Sequence, residues 1–169
     1  MNTIGSHPGA ILFRLSLMII LIAIMIVVFF SYVDQTQKKV EHVSILQTKK
    51  IIDSSLAVVF ATYAVNNRLN ELDNLDGGNP FVFLQEFEIL PPAYVGEVDS
   101  DLETDQAPGW YYLSHRQIVA YKSRFIESDS YFKVMLAYDD HNQSGHFESD
   151  ADKFRSLKFV KKSSFNSRR

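Results

Sequence analysis

The chain has 169 residues, a formal net charge of −3 and no cysteine, which excludes disulfides, thiolate metal sites and cysteine nucleophiles. The charge is unevenly distributed, because residues 70–152 hold 17 Asp and Glu residues against 4 Lys and Arg residues. A segment this acidic repels phosphate backbones, so nucleic-acid binding is not an expected function.

Residues 15–33 form an apolar run without charge, proline or glycine. As a helix this run would be about 29 Å long, close to the ~30 Å hydrocarbon core of a bilayer. Phe29, Phe30 and Tyr32 lie near its end, where aromatic side chains favour the membrane interface. The flanks lack the small residues of a signal-peptide cleavage site. We therefore predict a transmembrane anchor over 15–33 after a short tail over 1–14, with the lipid bilayer as a partner.

The next segment predicts an amphipathic helix over 34–76, because apolar residues recur at spacings of three and four between Lys and Gln. No Pro or Gly interrupts it before Gly77, so we expect the membrane helix to continue into it. The positions expected to dock a partner helix are Val43, Leu46, Ile52, Leu56, Val59 and Tyr63. For the positions after Ile52, packing on the protein's own sheet is an equally open interpretation.

Residues 77–162 predict a small acidic domain with short strands. Aromatic and β-branched runs indicate strands at 110–113 and 118–121, joined as a hairpin, then at 131–138 and 157–160. The expected fold class is α+β, with the long helix packed on a small antiparallel sheet. We expect Trp110, Tyr112, Tyr121 and Phe132 in the core, and a disordered basic tail over 163–169.

Sequence motifs for catalysis are missing: no His-Glu-x-x-His, Gly-x-Ser-x-Gly or glycine-rich phosphate loop occurs. We therefore expect no enzyme activity, no cofactor and no small-molecule substrate.

One acidic loop spaces its oxygen ligands as a calcium loop does, at Asp140, Asn142, Ser144 and Glu148. Its twelfth position, which requires a bidentate acid, is Ala151, and a predicted strand precedes the loop where a helix is required. We therefore interpret it as a polar loop. The alternative function is a membrane-tethered binding or sensor module that holds a cation in this loop.

Four short sequence motifs follow one another along the chain: Asn79-Pro80-Phe81, then Pro-Pro-Ala-Tyr-Val-Gly-Glu at 91–97, then Gly-Trp-Tyr-Tyr at 109–112 and Ile-Val-Ala-Tyr at 118–121. This order, over residues 65–125, resembles accessory proteins of type IV pilus systems, in particular the MshF-like biogenesis proteins of the mannose-sensitive haemagglutinin (MSHA) pilus. The resemblance implies a pilin-like fold, an inner-membrane anchor, other pilus biogenesis proteins as partners and a non-catalytic role in assembly. Residues 10–14 lack the Gly-Phe processing site of pilins, so we expect an uncleaved protein.

Two guides to topology disagree. Lys38, Lys39, Lys49 and Lys50 follow the anchor whereas Arg14 precedes it, and this positive-inside count favours a cytoplasmic C-terminus. The resemblance implies a periplasmic domain. We follow the resemblance, and expect a single-pass protein of the bacterial inner membrane whose C-terminal domain is periplasmic.

Overall fold

A computed structural model describes residues 8–141, 143–145 and 152–162 of the protein. It divides into two compact units, one ending at Val40 and one beginning at Glu41. In chain order the elements are helix α1 (Pro8–Val65), a 3₁₀ segment (Leu69–Leu75), helix α2 (Pro80–Glu86) and strands β1 (Tyr94–Val98), β2 (Gly109–Leu113), β3 (Ile118–Lys122), β4 (Ser130–Asp139) and β5 (Lys153–Lys162). The protein is therefore α+β, as its sequence predicts.

The first unit contains the part of α1 that ends at Val40, including its apolar run. Its most apolar stretch has a mean hydropathy of 3.0, and none of that stretch is buried. Ile11, Met18 and Phe30 are each more than half exposed, whereas a helix in the core of a soluble domain would bury such side chains. Ser16 donates its hydroxyl to the carbonyl of Phe13 at 2.8 Å, so this side chain is satisfied inside the helix. By length and composition, α1 is able to cross a membrane.

Helix α1 is unbroken, as expected, but it ends at Val65, before residue 76. Asn67 has a left-handed φ of 55°, a conformation that ends helices. The chain then forms the 3₁₀ segment, where Arg68 pairs with Glu71 and Leu72 is buried in the core. The predicted helix over 34–76 is thus two elements separated by a turn.

The five strands form one sheet in the order β1-β2-β3-β4-β5. Strands β2 to β5 pair antiparallel in sequence order, and each contains one of the four predicted strands. Strand β1 is parallel to β2, so the expected purely antiparallel sheet is wrong and the sheet is mixed. The cause is the loop over 99–108, which returns the chain to the end of the sheet where β1 began.

The main core lies between α1 and one face of the sheet. Trp110 is central, with its ring centroid 4.9 Å from that of Tyr121 and 5.5 Å from that of Phe132. These separations suit attraction between aromatic rings. Together with Tyr112, these residues are at most 8% exposed, which confirms them as core residues. Helix α1 contributes Ile45, Ile52, Leu56 and Val59.

The opposite face of β2 and β3 is also buried. Its side chains Tyr111, Leu113, Ile118 and Ala120 pack under Val98, Leu102 and Tyr131. The Tyr111 hydroxyl donates to the carbonyl of Ala107 at 2.7 Å and so ties the loop over 99–108 to the sheet. Because β2 and β3 are covered on both faces, α1, the outer strands and the loops form the accessible surface of the domain among the described residues.

Candidate functional site

The residues predicted to dock a partner helix lie on two sides of α1. Ile52, Leu56 and Val59 are at most 5% exposed and belong to the domain's own core. Tyr63 is half-buried against the same core, and the guanidinium of Arg68 lies 5.1 Å from its ring centroid. The contacts therefore support the interpretation that these four residues pack on the protein's own domain.

Val43 and Leu46 are on the surface, 60% and 46% exposed. At this level of α1 the buried position is taken by Ile45, which is 6% exposed. Contact between a partner and Val43 or Leu46 therefore stays a prediction.

A groove of about 480 Å³ lies between α1 and the segment that follows α2. Ile51 and Val58 line it from α1, and Phe87 and Ile89 line it from the opposite side. Ile51 and Val58 are seven residues apart, which is about two helical turns, so both project from the same face of the helix. The four side chains are between 36% and 51% exposed, so this is an open apolar surface.

The opposite side of the groove is positioned by the ends of α2. The side chain of Asn79 accepts the N–H of Phe81 at 3.0 Å and so begins the helix. Leu84, which is fully buried, anchors the helix in the core. The chain then reverses at Glu88, whose φ is 57°, and this turn leaves Phe87 and Ile89 outside the core.

The groove is also lined by polar residues of α1. Ser55 donates its hydroxyl to the carbonyl of Ile51 at 2.9 Å, so that group is satisfied by the helix itself. Gln47 and Lys50 also line the groove, and Lys50 is exposed. The groove is therefore mainly apolar, with one exposed lysine among its lining residues.

A second arrangement, the Glu41 latch, joins α1 to the turn after β3. One carboxylate oxygen of Glu41 accepts the N–H of Arg124 at 2.7 Å and the hydroxyl of Tyr121 at 3.1 Å. The other accepts the N–H of Phe125 at 2.9 Å and the hydroxyl of Ser123 at 2.8 Å. Glu41 is only 7% exposed, so four donors satisfy a nearly buried charge.

The latch is stable in its ionised form. Burial on its own would raise the pKa of Glu41, but the N–H groups of Arg124 and Phe125 and the two hydroxyls bring that pKa below its ordinary value of 4.5. Burial, together with the charge of Glu41, raises the pKa of Tyr121 to about 12. At neutral pH the carboxylate is therefore charged and the phenol remains a donor.

The candidate calcium loop is described only in part, because Asn142 and Glu148 lie outside the described residues. Asp140 accepts the N–H groups of Ser144 at 3.0 Å and Gly145 at 2.9 Å, so its oxygens cap the turn. Cation binding by the loop stays a prediction.

Comparison with protein-family models, curated proteins and solved structures finds no match to this chain. Within the described residues, no three His, Asp or Glu side chains are placed to share a metal ion. The features that the described residues do bring together are an open apolar groove on α1 and a latch that fixes α1 to the sheet.

Proposed function

We propose that this protein is a non-enzymatic, single-pass component of the bacterial inner membrane. Its role is to help assemble or stabilise a type IV, MSHA-like pilus or a related secretion apparatus. The groove and the exposed residues Val43 and Leu46 dock a helix of another membrane protein of that apparatus. The observation that carries the proposal is the exposed apolar face of α1, on the same helix as the candidate membrane span.

The spacing of the exposed residues supports a helical occupant. Ile51, Ser54, Val58, Ala61 and Val65 are all exposed and recur at intervals of three and four. Large apolar residues alternate with small ones, which allows a second helix to approach closely. Fully burying an exposed Ile or Val side chain contributes about 1.5–3 kcal/mol, so a few such contacts can hold a partner.

The pilus assignment is supported by the resemblance to type IV pilus accessory proteins. Three of the four sequence motifs that carry this resemblance are neighbours in space. Phe81 stacks on Tyr94 with ring centroids 4.1 Å apart, and its ring lies 6.2 Å from that of Trp110. The side-chain amide of Asn79 lies within hydrogen-bond distance of the Tyr94 hydroxyl and of Glu97. The three motifs are thus parts of one packed cluster that positions α2. Helix α2 in turn positions one side of the groove.

The docking surface is tested by replacing apolar side chains with acids. Ile51→Asp with Val58→Asp, and separately Val43→Asp with Leu46→Asp, should each abolish co-purification with the inner-membrane proteins of the pilus apparatus. In a strain lacking the protein, we expect few surface pili. Wild type should restore them and the groove variant should not, because a charge in the contact costs several kcal/mol when buried.

The matched control is Val82→Asp, which makes the same change on α2 at a residue that is 51% exposed and outside the groove lining. It should restore both pili and co-purification. Normal piliation of the deletion strain would refute the pilus role. Full function of both acid variants would refute the docking surface.

Topology is tested with reporters fused after Lys162. We expect alkaline phosphatase to be active and green fluorescent protein to be dark, because the resemblance implies a periplasmic domain. Fluorescence without phosphatase activity would instead support the lysine count and contradict the proposed location.

A further inference from the structure

The outer face of the sheet, which is the face opposite α1, is raised on one half and flat on the other. The raised half is the loop over 99–108, which lies on β2 and β3 because Val98 and Leu102 pack there. The flat half is the outer surface of β4 and β5, where Met135 and Val160 remain 43% and 39% exposed. The outer face therefore has a step that runs along the strands.

The sheet register fixes which side chains the flat half presents. Phe159 is buried in the main core, so its neighbours Lys158 and Val160 point to the outer face. Lys162, two residues beyond Val160, points the same way. Met135 of β4 lies opposite Lys158 and shares its face. The flat half thus presents exposed apolar side chains between two lysines.

The two halves carry opposite charges. On the flat half Lys158 and Lys162 are exposed, and within residues 8–141, 143–145 and 152–162 neither is in an ion pair. On the raised half Glu103 and Asp105 are exposed and are likewise not ion-paired within those ranges. Two free cations on one half are therefore matched in number by two free anions on the other.

Other charged side chains of the outer face already have partners in the chain. On the raised half, Asp101 is paired with Arg116 and lies 3.2 Å from the ring nitrogen of His115. On the flat half, the amine of Lys133 lies 2.9 Å from the carboxylate of Asp76. These pairs leave the charge difference between the two halves to Lys158, Lys162, Glu103 and Asp105.

One lysine and one acid also match in their level along the strands. Lys162 lies opposite Tyr131, which lies opposite Ala120. Lys122, two residues beyond Ala120, donates its amine to the main-chain carbonyl of Glu103. Two residues of strand span ~7 Å, which is within the reach of a lysine side chain. Lys162 and Glu103 are therefore at nearly the same level, on opposite halves of the outer face.

We infer that the outer face binds a second copy of this chain, related to the first by a two-fold axis parallel to the strands. Such an axis preserves the level along the strands and places the raised acidic half of each copy on the flat basic half of the other. Lys162 then meets the partner's Glu103, and Met135 and Val160 are covered. One face supplies both sides of the match in shape and in charge, which is what a two-fold contact requires. The inference does not use the groove on α1.

The oligomeric state of the full chain in detergent micelles tests the inference. By sedimentation at low salt we expect a dimer that dissociates in 1 M salt, where the Debye length is about 3 Å. Lys158→Glu with Lys162→Glu, and separately Glu103→Lys with Asp105→Lys, should each weaken dimerisation on the order of a hundredfold, because every contact occurs twice. All four positions are exposed, so both variants should keep the wild-type circular dichroism spectrum.

Mixing the two charge-reversed variants is the decisive step. Each variant alone brings like charges together, whereas a mixed dimer has opposite charges at both copies of the contact. An equimolar mixture should therefore dimerise as the wild type does. A monomeric wild type overturns the inference. A dimer that survives both reversals, or a mixture that stays monomeric, also overturns it, because association would then use another surface.

Cross-linking locates the contact in a bilayer. The chain has no cysteine, so Met135→Cys and its matched control Val82→Cys each introduce a single thiol. Val82 lies on α2 and is 51% exposed, slightly more than Met135. A short bis-maleimide should link two chains that carry Met135→Cys and should leave Val82→Cys chains unlinked. Equal cross-linking of the two variants overturns the inference.

Discussion

Replacing Glu41 with alanine is expected to lower the free energy of unfolding by about 3 kcal/mol. The substitution leaves four donors without an acceptor: the N–H groups of Arg124 and Phe125 and the hydroxyls of Tyr121 and Ser123. Because Glu41 is almost buried, water replaces these bonds only in part. The measurement is urea denaturation of the full chain in a mild detergent.

Glu41→Gln is the matched control, because it keeps the shape and one acceptor oxygen but points an amide donor at other donors. We expect a loss of about 2 kcal/mol, and about 1 kcal/mol for Tyr121→Phe, which removes a single donor. A loss below about 0.5 kcal/mol for Glu41→Ala would show that the latch contributes little to stability.

The latch also gives the protein a defined response to acid. The pKa of Glu41 is lower in the folded chain than its ordinary value of 4.5, so its stabilisation is complete above pH 4.5 and is lost as the pH falls through the folded pKa. The difference in unfolding free energy between wild type and Glu41→Gln should be constant at neutral pH and should shrink below pH 4.5. A difference that grows with acid would contradict the assigned charge state.

Local patterns were sufficient for the antiparallel part of the sheet. The runs around Trp110, Tyr121 and Phe132 are β-branched and aromatic, and their hairpin has a short loop that ends at Gln117 with a left-handed φ of 52°. Strand β1 was not predicted because its partner is reached by a parallel pairing across a loop. Gly96 interrupts the strand signal that Tyr94, Val95 and Val98 provide.

The periodicity of α1 identified a helix but did not identify its buried face. Apolar residues occur all round the helix from Val43 to Val59, so spacing alone cannot show whether Leu46 or Ile45 meets the sheet. The groove could not be predicted either, because Phe87 and Ile89 come from a turn beyond α2. Glu41 gave no local signal, since its hydrogen-bond partners are 80 to 84 residues away along the chain.

Gly109→Ala is expected to destabilise the protein by about 4 kcal/mol. The reason is that the backbone at Gly109, the first residue of β2, passes very close to Ala93, the residue before β1. Gly109 has a φ of +151°, and a Cβ there would lie 2.5 Å from the carbonyl oxygen of Ala93 and 2.7 Å from a methyl group of Val95. The same carbonyl accepts the N–H of Trp110 at 2.8 Å, so it cannot move away without loss of that bond. Thermal unfolding of the full chain measures the loss.

Gly96→Ala separates the two causes of this effect. Gly96 has nearly the same φ, +147°, but a Cβ there meets no atom within 4 Å, so alanine adds backbone strain without a clash. We expect a loss of about 2 kcal/mol for Gly96→Ala, and the excess for Gly109→Ala then measures the close approach of the two chain segments. Equal losses would mean that backbone strain alone requires glycine at Gly109.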